Sequence, residues 1–256
     1  MIIASWNVNS IAVRLPHVLD WLAAVNPDVL CLQETKSVDE KFPREAFEKA
    51  GYHAEFFGEK TYNGVAIISK EAPSRVQKGF IGDGAADSKR LLEAQFGPVT
   101  VVDVYIPNGS EVGSEKYSYK MSWLEKLREH LSGAHSPDKM LVVCGDYNIA
   151  PDDRDVYDPA EWGEQILCSP GERSALENVR AWGLTDTFRI HEQAAGHFSW
   201  WDYRQAAFRR NMGLRIDHIW ATAPLAELCT RSWIDKAPRK LEKPSDHAPV
   251  AAEFRV

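Results

Sequence analysis

The stretch PSDHAPV, Pro244 to Val250, sets an aspartate and a histidine, Asp246 and His247, side by side just ahead of the last apolar run. The pattern recurs along the chain. Apolar, β-rich runs end on carboxylates or amides: Asn7 with Asn9, Glu34, Tyr105 with Asn108, and Asp146 with Asn148. Asp217 is a further carboxylate, read as lying inside its own strand in LRIDHIWAT. Taken singly, each of these residues is also what a cap, a turn or a solvated strand end requires. Taken together they are the types needed to handle phosphate with a hard cation. Mg²⁺ wants oxygen ligands and keeps several waters, so one or two carboxylates suffice. Other chemistries lack their signatures. There is no cysteine cluster or H-E-x-x-H for zinc, no G-x-x-x-x-G-K-[ST] or G-x-G-x-x-G for a nucleotide, and no G-x-S-x-G for a serine nucleophile.

Such residues need a rigid scaffold that aims strand ends into one crevice. The runs at 2–7 and 28–34 read as strands. Between them 14–25 puts Leu15, Val18, Leu19 and Leu22 on one helical face, which makes a β-α-β unit. Further strands are expected at 64–69, 90–96, 99–105, 140–146, 214–222 and 248–254. A helix at 115–131 turns Trp123, Leu124, Leu127 and Leu131 inward. Another at 169–184 opens with Ser169, Pro170 and Glu172, a capping box with proline at the first helical position. No linker or short-period repeat interrupts the series. The expectation is one α/β domain over residues 1–256, built of two packed sheets with helices outside.

With 44% apolar and 26% charged residues, the chain has the balance of a soluble globular protein. No apolar run is long enough for a membrane span, and MIIASWNVNS has neither the basic nor the cleavable apolar region of a secretory signal. Cys31 and Cys144 fall inside apolar runs and no C-x-x-C occurs, which reads as reduced thiols in a cytoplasmic protein. The net charge of −7 argues against a general nucleic-acid binder, but its distribution is uneven: residues 201–256 carry +3 and residues 1–200 carry −10. A local basic face can bind phosphate on an acidic molecule. The run WWDYRQAAFRRNMGLR, 200–215, interleaves Trp200, Trp201, Tyr203 and Phe208 with Arg204, Arg209, Arg210 and Arg215. That mixture suits phosphate contact and stacking on exposed bases, although some of the aromatics belong to a core.

The motifs WNVNSIAVRL, LQETK, YNGVAIIS, VYIPNG, GDYNIAP, LTDTFR, FSWWDYR, GLRIDHI and PSDHAPV occur in that order from Ile3 to Phe254. In this the chain resembles the exonuclease III family of DNA-repair nucleases, within the fold shared with deoxyribonuclease I. The resemblance implies a four-layer α/β/β/α sandwich with the site at one edge of two sheets, and a Mg²⁺-dependent phosphodiesterase (Mn²⁺ substituting) acting on double-stranded DNA. It would work as a monomer and as 3′→5′ exonuclease, 3′-end processing enzyme, AP endonuclease or a mixture. The resemblance further implies that Glu34, with Asn7 beside it and Asp246 nearby, holds the metal. Asp146 and Asn148 would handle the attacking water and the phosphate, Asp217 would orient His247, and Tyr105 and Asn108 would contact phosphate. Some relatives carry aspartate where this chain has Asn9, which removes a negative charge near the metal. Either Asp146 or His247 can be the base; the reading favours Asp146. Phe198, Leu214 and Ile216 match residues that line a pocket for an extruded abasic sugar. Leu167 either packs ahead of the 169–184 helix or projects toward DNA and crowds a kinked duplex. Two other functions stay open on the residues: a phosphatase of the same fold acting on small or lipid phosphates, and a non-catalytic DNA-binding module. The retained carboxylates argue against the second.

Overall fold

Strand parity decides which side chains meet. The structure, a computed structural model describing residues 1–84 and 87–256, contains twelve strands among the described residues: β1 Ile2–Asn7, β2 Val29–Gln33, β3 His53–Phe57, β4 Val65–Ser69, β5 Arg75–Lys78, β6 Leu91–Phe96, β7 Val99–Tyr105, β8 Leu141–Asp146, β9 Leu184–Asp186, β10 Asp217–Thr222, β11 Cys229–Ile234 and β12 Val250–Phe254. The helices are α1 Ile11–Val25, α2 Arg44–Lys49, α3 Glu115–Ala134, α4 Pro159–Trp162, α5 Pro170–Arg180, α6 Thr187–His191, α7 Ala207–Arg210 and α8 Ala223–Ala226. The strands form two six-stranded sheets, in the order β11-β12-β1-β2-β4-β3 and β5-β6-β7-β8-β10-β9.

One side of each strand faces the other sheet. Ile3, Val29, Cys31, Val65 and Ile67 of the first sheet meet Leu92, Val99, Val101, Val142, Cys144 and Ile219 of the second in a closed apolar core. The alternate residues face helices. Ala4, Trp6, Leu30, Leu32, Ala66 and Ile68 pack on Val18, Trp21 and Leu22 of α1 and Phe47 of α2. On the far side, Val102, Val104, Leu141, Val143 and Trp220 pack on Trp123, Leu124, Leu127 and Leu131 of α3 and Leu176 and Val179 of α5. This is the expected four-layer α/β/β/α sandwich. Its apolar inter-sheet face turns polar toward one edge: Ser5, Gln33 and Asp103, all fully buried, come first, with Gln33 Nε2 donating to Asp103 Oδ1 at 2.7 Å. Asn7, Tyr105, Asp146 and Asp217 follow on the same parity.

Register brings those last residues together. β1 runs parallel to β2 with Asn7 opposite Gln33, and β7 runs parallel to β8 with Tyr105 opposite Asp146. β10 runs antiparallel to β8 with Asp217 opposite Asp146. Asp217 is therefore the first residue of its strand, not an interior one, because an antiparallel strand begins where its partner ends. β12 is likewise antiparallel to β1, so Asp246 and His247 arrive at the edge where Asn7 leaves.

Four strands were not legible as such. β3, β5 and β11 are edge or near-edge strands whose residues are largely exposed or half-buried, and β9 has only three residues. Residues 214–216 lie outside β10; Leu214 makes only isolated bridges to Val156 and Trp200. α1 starts at Ile11 and carries Pro16 inside it, and α5 stops at Arg180 while keeping the expected Ser169–Glu172 capping box.

Candidate active site

Four strand ends and the segment before β12 converge on Asp146, which is 1% exposed. The GDYN turn after β8 folds back on it: the Asn148 backbone N–H donates to Asp146 Oδ1 at 2.9 Å, with Asn148 at φ 51°. Asn148 donates its own amide to the Ile106 carbonyl at 2.9 Å, and Asn108 Nδ2 donates to Asn148 Oδ1 at 3.2 Å. Across the sheets, Asn7 Nδ2 donates both to Asp146 Oδ2 at 2.9 Å and to Glu34 Oε1 at 2.8 Å. Its carbonyl oxygen turns away and accepts from the Asn9 backbone at 3.0 Å. Asn7, expected beside the metal as a ligand, here bridges two carboxylates through its donor end. Glu34 has φ 51°, a left-handed conformation unusual for glutamate, and its Oε2 pairs with Lys36 Nζ at 2.8 Å.

His247 is built from behind. Its Nδ1–H donates to Asp217, at 2.9 Å from Oδ2 and 3.1 Å from Oδ1. Ser199 Oγ donates to the same Oδ2 at 2.7 Å and accepts the Asp217 backbone N–H at 3.0 Å. With Nδ1 occupied, Nε2 points toward Asp146 Oδ2, 3.8 Å away. Ser245 secures the loop, donating to the Asn7 carbonyl at 2.7 Å and accepting the His247 N–H at 3.2 Å. Asp246 is separately engaged: Oδ1 accepts from Asn9 Nδ2 at 3.0 Å and Oδ2 from Trp200 Nε1 at 3.0 Å.

The electrostatics follow from this packing. Burial opposes charge on His247, but the Asp217 and Asp146 carboxylates outweigh it and raise the imidazole to about 10. Burial drives Asp146 up to about 7, aided by Asp217 and Glu34 and opposed by His247 and Asn7. For Glu34, burial is outweighed by the hydrogen bonds from Asn7 and Lys36, which hold its carboxyl below the usual range. Burial, then the nearby Glu34 and Asp146 charges, push the Tyr105 phenol well up.

Glu34, Asp146 and His247 each offer a ligand atom, all within 4.8 Å of one another. The carboxylate oxygens of Glu34 and Asp146 suit a hard cation, whose charge would add to that of Lys36 beside Glu34 and His247 beside Asp146. Asp246, also expected near the metal, is not in this cluster; its oxygens anchor Asn9 and Trp200.

Residues 4–247 match the Endonuclease/Exonuclease/phosphatase family. The chain is 38% identical to exodeoxyribonuclease III of Haemophilus influenzae over 98% of both chains. Among solved structures it is similar to an AP endonuclease from Archaeoglobus fulgidus, at 40% identity and TM-score 0.94 over the whole of both chains. It is also similar to the 3′ phosphatase NExo from Neisseria, an aspartate-to-asparagine variant bound to product DNA hairpin, at 43% identity and TM-score 0.95 over the whole of both chains. The chain belongs to the exonuclease III family of DNA-repair nucleases.

The segment after Trp201 carries exposed cations and the exposed Tyr203 ring. Arg204, Arg209 and Arg210 are exposed on the 3₁₀ turn and α7. Tyr203 joins this segment to the site: its hydroxyl donates to the Pro244 carbonyl at 2.9 Å and is met by Arg14 at 3.2 Å. Other expected contact residues are interior. Arg215 is 1% exposed; it ion-pairs with Asp155, and with Asp186 at 2.7 Å, and lies over the Phe188 ring. It is a core cation, because the buried Asp155 and the largely covered Asp186 need it more than solvent phosphate does. Trp201 is fully buried against Phe208. Phe198 packs with Trp201 and Ala248, while Leu214 and Ile216 pack with Val156 and Leu167. The structure gives these three a packing role and divides them between two clusters. Leu167 is 4% exposed at φ 75°, so it packs inward and does not project.

Sequence reasoning passed over Ser199, Trp200 as an anchor, Lys36, Arg14 and Lys120. Only Lys120 carried a usable signal, being a cation on the apolar 120-123-124-127-131 face of α3. It is fully buried, ion-paired to Glu172, and donates to the Asn148 carbonyl at 2.7 Å and the Asn108 carbonyl at 3.1 Å.

Proposed function

We propose that the protein hydrolyses phosphodiesters of double-stranded DNA with Mg²⁺, as 3′→5′ exonuclease, 3′-end processing enzyme or AP endonuclease. The observation that carries this is the juxtaposition of Asp146 Oδ2 with His247 Nε2 at 3.8 Å, with Asp217 locked behind the ring. An imidazole with carboxylates on both sides stays protonated at neutral pH, so His247 serves as a cationic donor to a phosphate oxygen and not as the base. Asp146, raised to about 7, then accepts the proton of the attacking water at Oδ2. Asn108 keeps one amide N–H for the phosphate, while Asn148 spends its own on the Ile106 carbonyl and Asp146 Oδ2 and so steadies Asn108 and Asp146. Lys120 holds the backbone carbonyls of both asparagines, and Tyr105 adds a neutral hydroxyl donor. Glu34 would hold the ion, which when bound supplies positive charge against the phosphate and the leaving oxygen.

We also read the chain as one domain over residues 1–256 working as a monomer, because every member of the site comes from this chain. No helix among the described residues is long and apolar enough to cross a membrane. The four buried cysteines, all unpaired, support a reducing compartment such as the cytoplasm.

End-labelled duplexes, one with an abasic analogue and one with a recessed 3′ end, test the reading with and without Mg²⁺. Cleavage should vanish with EDTA and return with Mg²⁺ or Mn²⁺, and Glu34→Gln should raise the Mg²⁺ concentration required. Turnover of soluble phosphomonoesters with none on DNA would overturn it, as would unchanged metal dependence in the variant.

A further inference from the structure

A second group of ligating side chains lies on the opposite face of the second sheet from the inter-sheet core. Glu93 shares its parity on β6 with Leu91, so it faces α3. Its Oε2 lies 3.3 Å from Nε2 of His130, in the last turns of α3, and 2.9 Å from Nε2 of His135, which caps that helix. Glu93 and His130 are 4% and 9% exposed. The three ligand atoms lie within 4.8 Å of one another. Zinc bonds of about 2.0–2.2 Å place neighbouring ligands of a tetrahedron roughly 3.3–3.5 Å apart. The two measured separations fall at that edge and a few tenths of an ångström inside it.

Charge points the same way. The ion-pair partners of Glu93 among the described residues are these two imidazoles. If both rings are neutral, a buried carboxylate keeps an uncompensated charge, which is costly. A buried carboxylate facing two imidazole nitrogens calls for a cation between them. A ring proton can supply one charge; a divalent ion supplies two and uses all three ligand atoms. A cleft of about 330 Å³, lined by Phe80, Ile81, Lys126 and Glu129 among others, reaches the group at His130.

We propose that Glu93, His130 and His135 form a structural transition-metal site of the Zn²⁺ class, with water as fourth ligand. The site ties the C-terminal end of α3 to β6. The same helix carries Lys120 to the Asn148 and Asn108 carbonyls, so the metal fixes the element that steadies one wall of the catalytic site. This assignment does not depend on the substrate of that site.

Zinc titration by calorimetry, and cobalt titration followed by visible absorption, are run with excess Mg²⁺ present. Wild type and Glu34→Gln should each bind one equivalent and show the intense bands of low-coordinate cobalt. His135→Ala should bind at least ~100-fold more weakly, since loss of an outer partner alone costs 10–100-fold. Its ring sits at the helix end, so this variant should fold; Glu93→Gln, which keeps the side-chain shape, is the second. Zinc at about a hundred times its Kd should raise the Tm of wild type by roughly 5–10 °C and leave that of His135→Ala unmoved. Equal zinc binding by wild type and His135→Ala, loss of binding in Glu34→Gln, or no binding by folded wild type would each overturn the site.

Discussion

His247 has its ring orientation set from behind. Asp217 fixes the ring at Nδ1 and Ser199 fixes Asp217, so Nε2 is left facing Asp146. On the proposed mechanism Asp146→Asn removes the base and His247→Ala the donor. Each should lower kcat by at least ~100-fold, while DNA affinity survives and rises in Asp146→Asn, where a charge facing phosphate is lost. Single-turnover kinetics beside a binding titration check this; near wild-type turnover in either variant removes that residue's role. His218 is the contrasting case. Its Nδ1 accepts from Arg215 at 3.0 Å and its Nε2–H donates to the Ile149 carbonyl at 3.1 Å, so protonation would turn a second N–H against a guanidinium. Burial, then Arg215, lower it to about 4, against the pull of Asp186 and Asp155. A histidine depressed in the folded state takes up a proton first in the unfolded chain. Its contribution is full above about pH 6.5 and is lost as pH falls toward 4. Between about pH 7.5 and 5.5 wild type should lose ~1.4 kcal/mol more in urea unfolding than His218→Asn. Equal losses would show that the ring does not titrate this way. The carboxylates and His247 were legible because strand-end polar residues stand out from apolar runs. The commitment of Asp246 to Asn9 and Trp200 was not, because nothing in PSDHAPV shows which neighbour holds each oxygen.

At the scale of elements, the register places the chemistry. A parallel β1–β2 pair, a parallel β7–β8 pair and an antiparallel β10 deliver Asn7, Tyr105, Asp146 and Asp217 to one edge. The buried strands were readable as continuous apolar runs. β3, β5 and β11 were not, since an edge strand that keeps polar residues outward loses the signal that marks it. α3 was read for its leucines, and the cation among them was missed. Lys120 and Glu172 form a pair with no exposed side-chain surface, and Glu172 also accepts from the Leu167 and Ser169 backbones at 3.1 Å each. Lys120→Met leaves that carboxylate buried without its cation and should cost about 3–5 kcal/mol. Adding Glu172→Gln should recover part of the loss without restoring turnover, because the Asn108 and Asn148 carbonyls remain unheld. Urea unfolding and kcat, measured on both variants, separate the two effects. A loss below ~1 kcal/mol in the single variant would show that the pair contributes little.

Over the whole molecule the charge is −7, yet residues 201–256 carry +3. The sequence reading spread DNA contacts across all four arginines of the 204–215 run. The fold divides them. Arg204, Arg209 and Arg210 are exposed beside the Tyr203 bridge to the catalytic loop, whereas Arg215 is buried between Asp155 and Asp186. Nothing in the one-dimensional pattern separates them, because Arg215 is told apart only by carboxylates 60 and 29 residues away. The distinction is measurable. Each phosphate neutralised on duplex DNA releases counterions and adds about 0.9 to the slope of log affinity against log salt. If Arg209 and Arg210 each meet a phosphate, the double glutamine variant should lose about 1.8 from that slope with the fold intact. Arg215→Met should behave in the opposite way, losing stability by leaving Asp186 without its cation and Asp155 with Arg189 alone, while the folded fraction keeps the wild-type slope. Fluorescence binding across a salt series on an abasic-analogue duplex, with Asp146→Asn as background to stop turnover, gives both readings. An unchanged slope in the Arg209 and Arg210 variant would place the DNA on another face, and a reduced slope in Arg215→Met would return that residue to the surface.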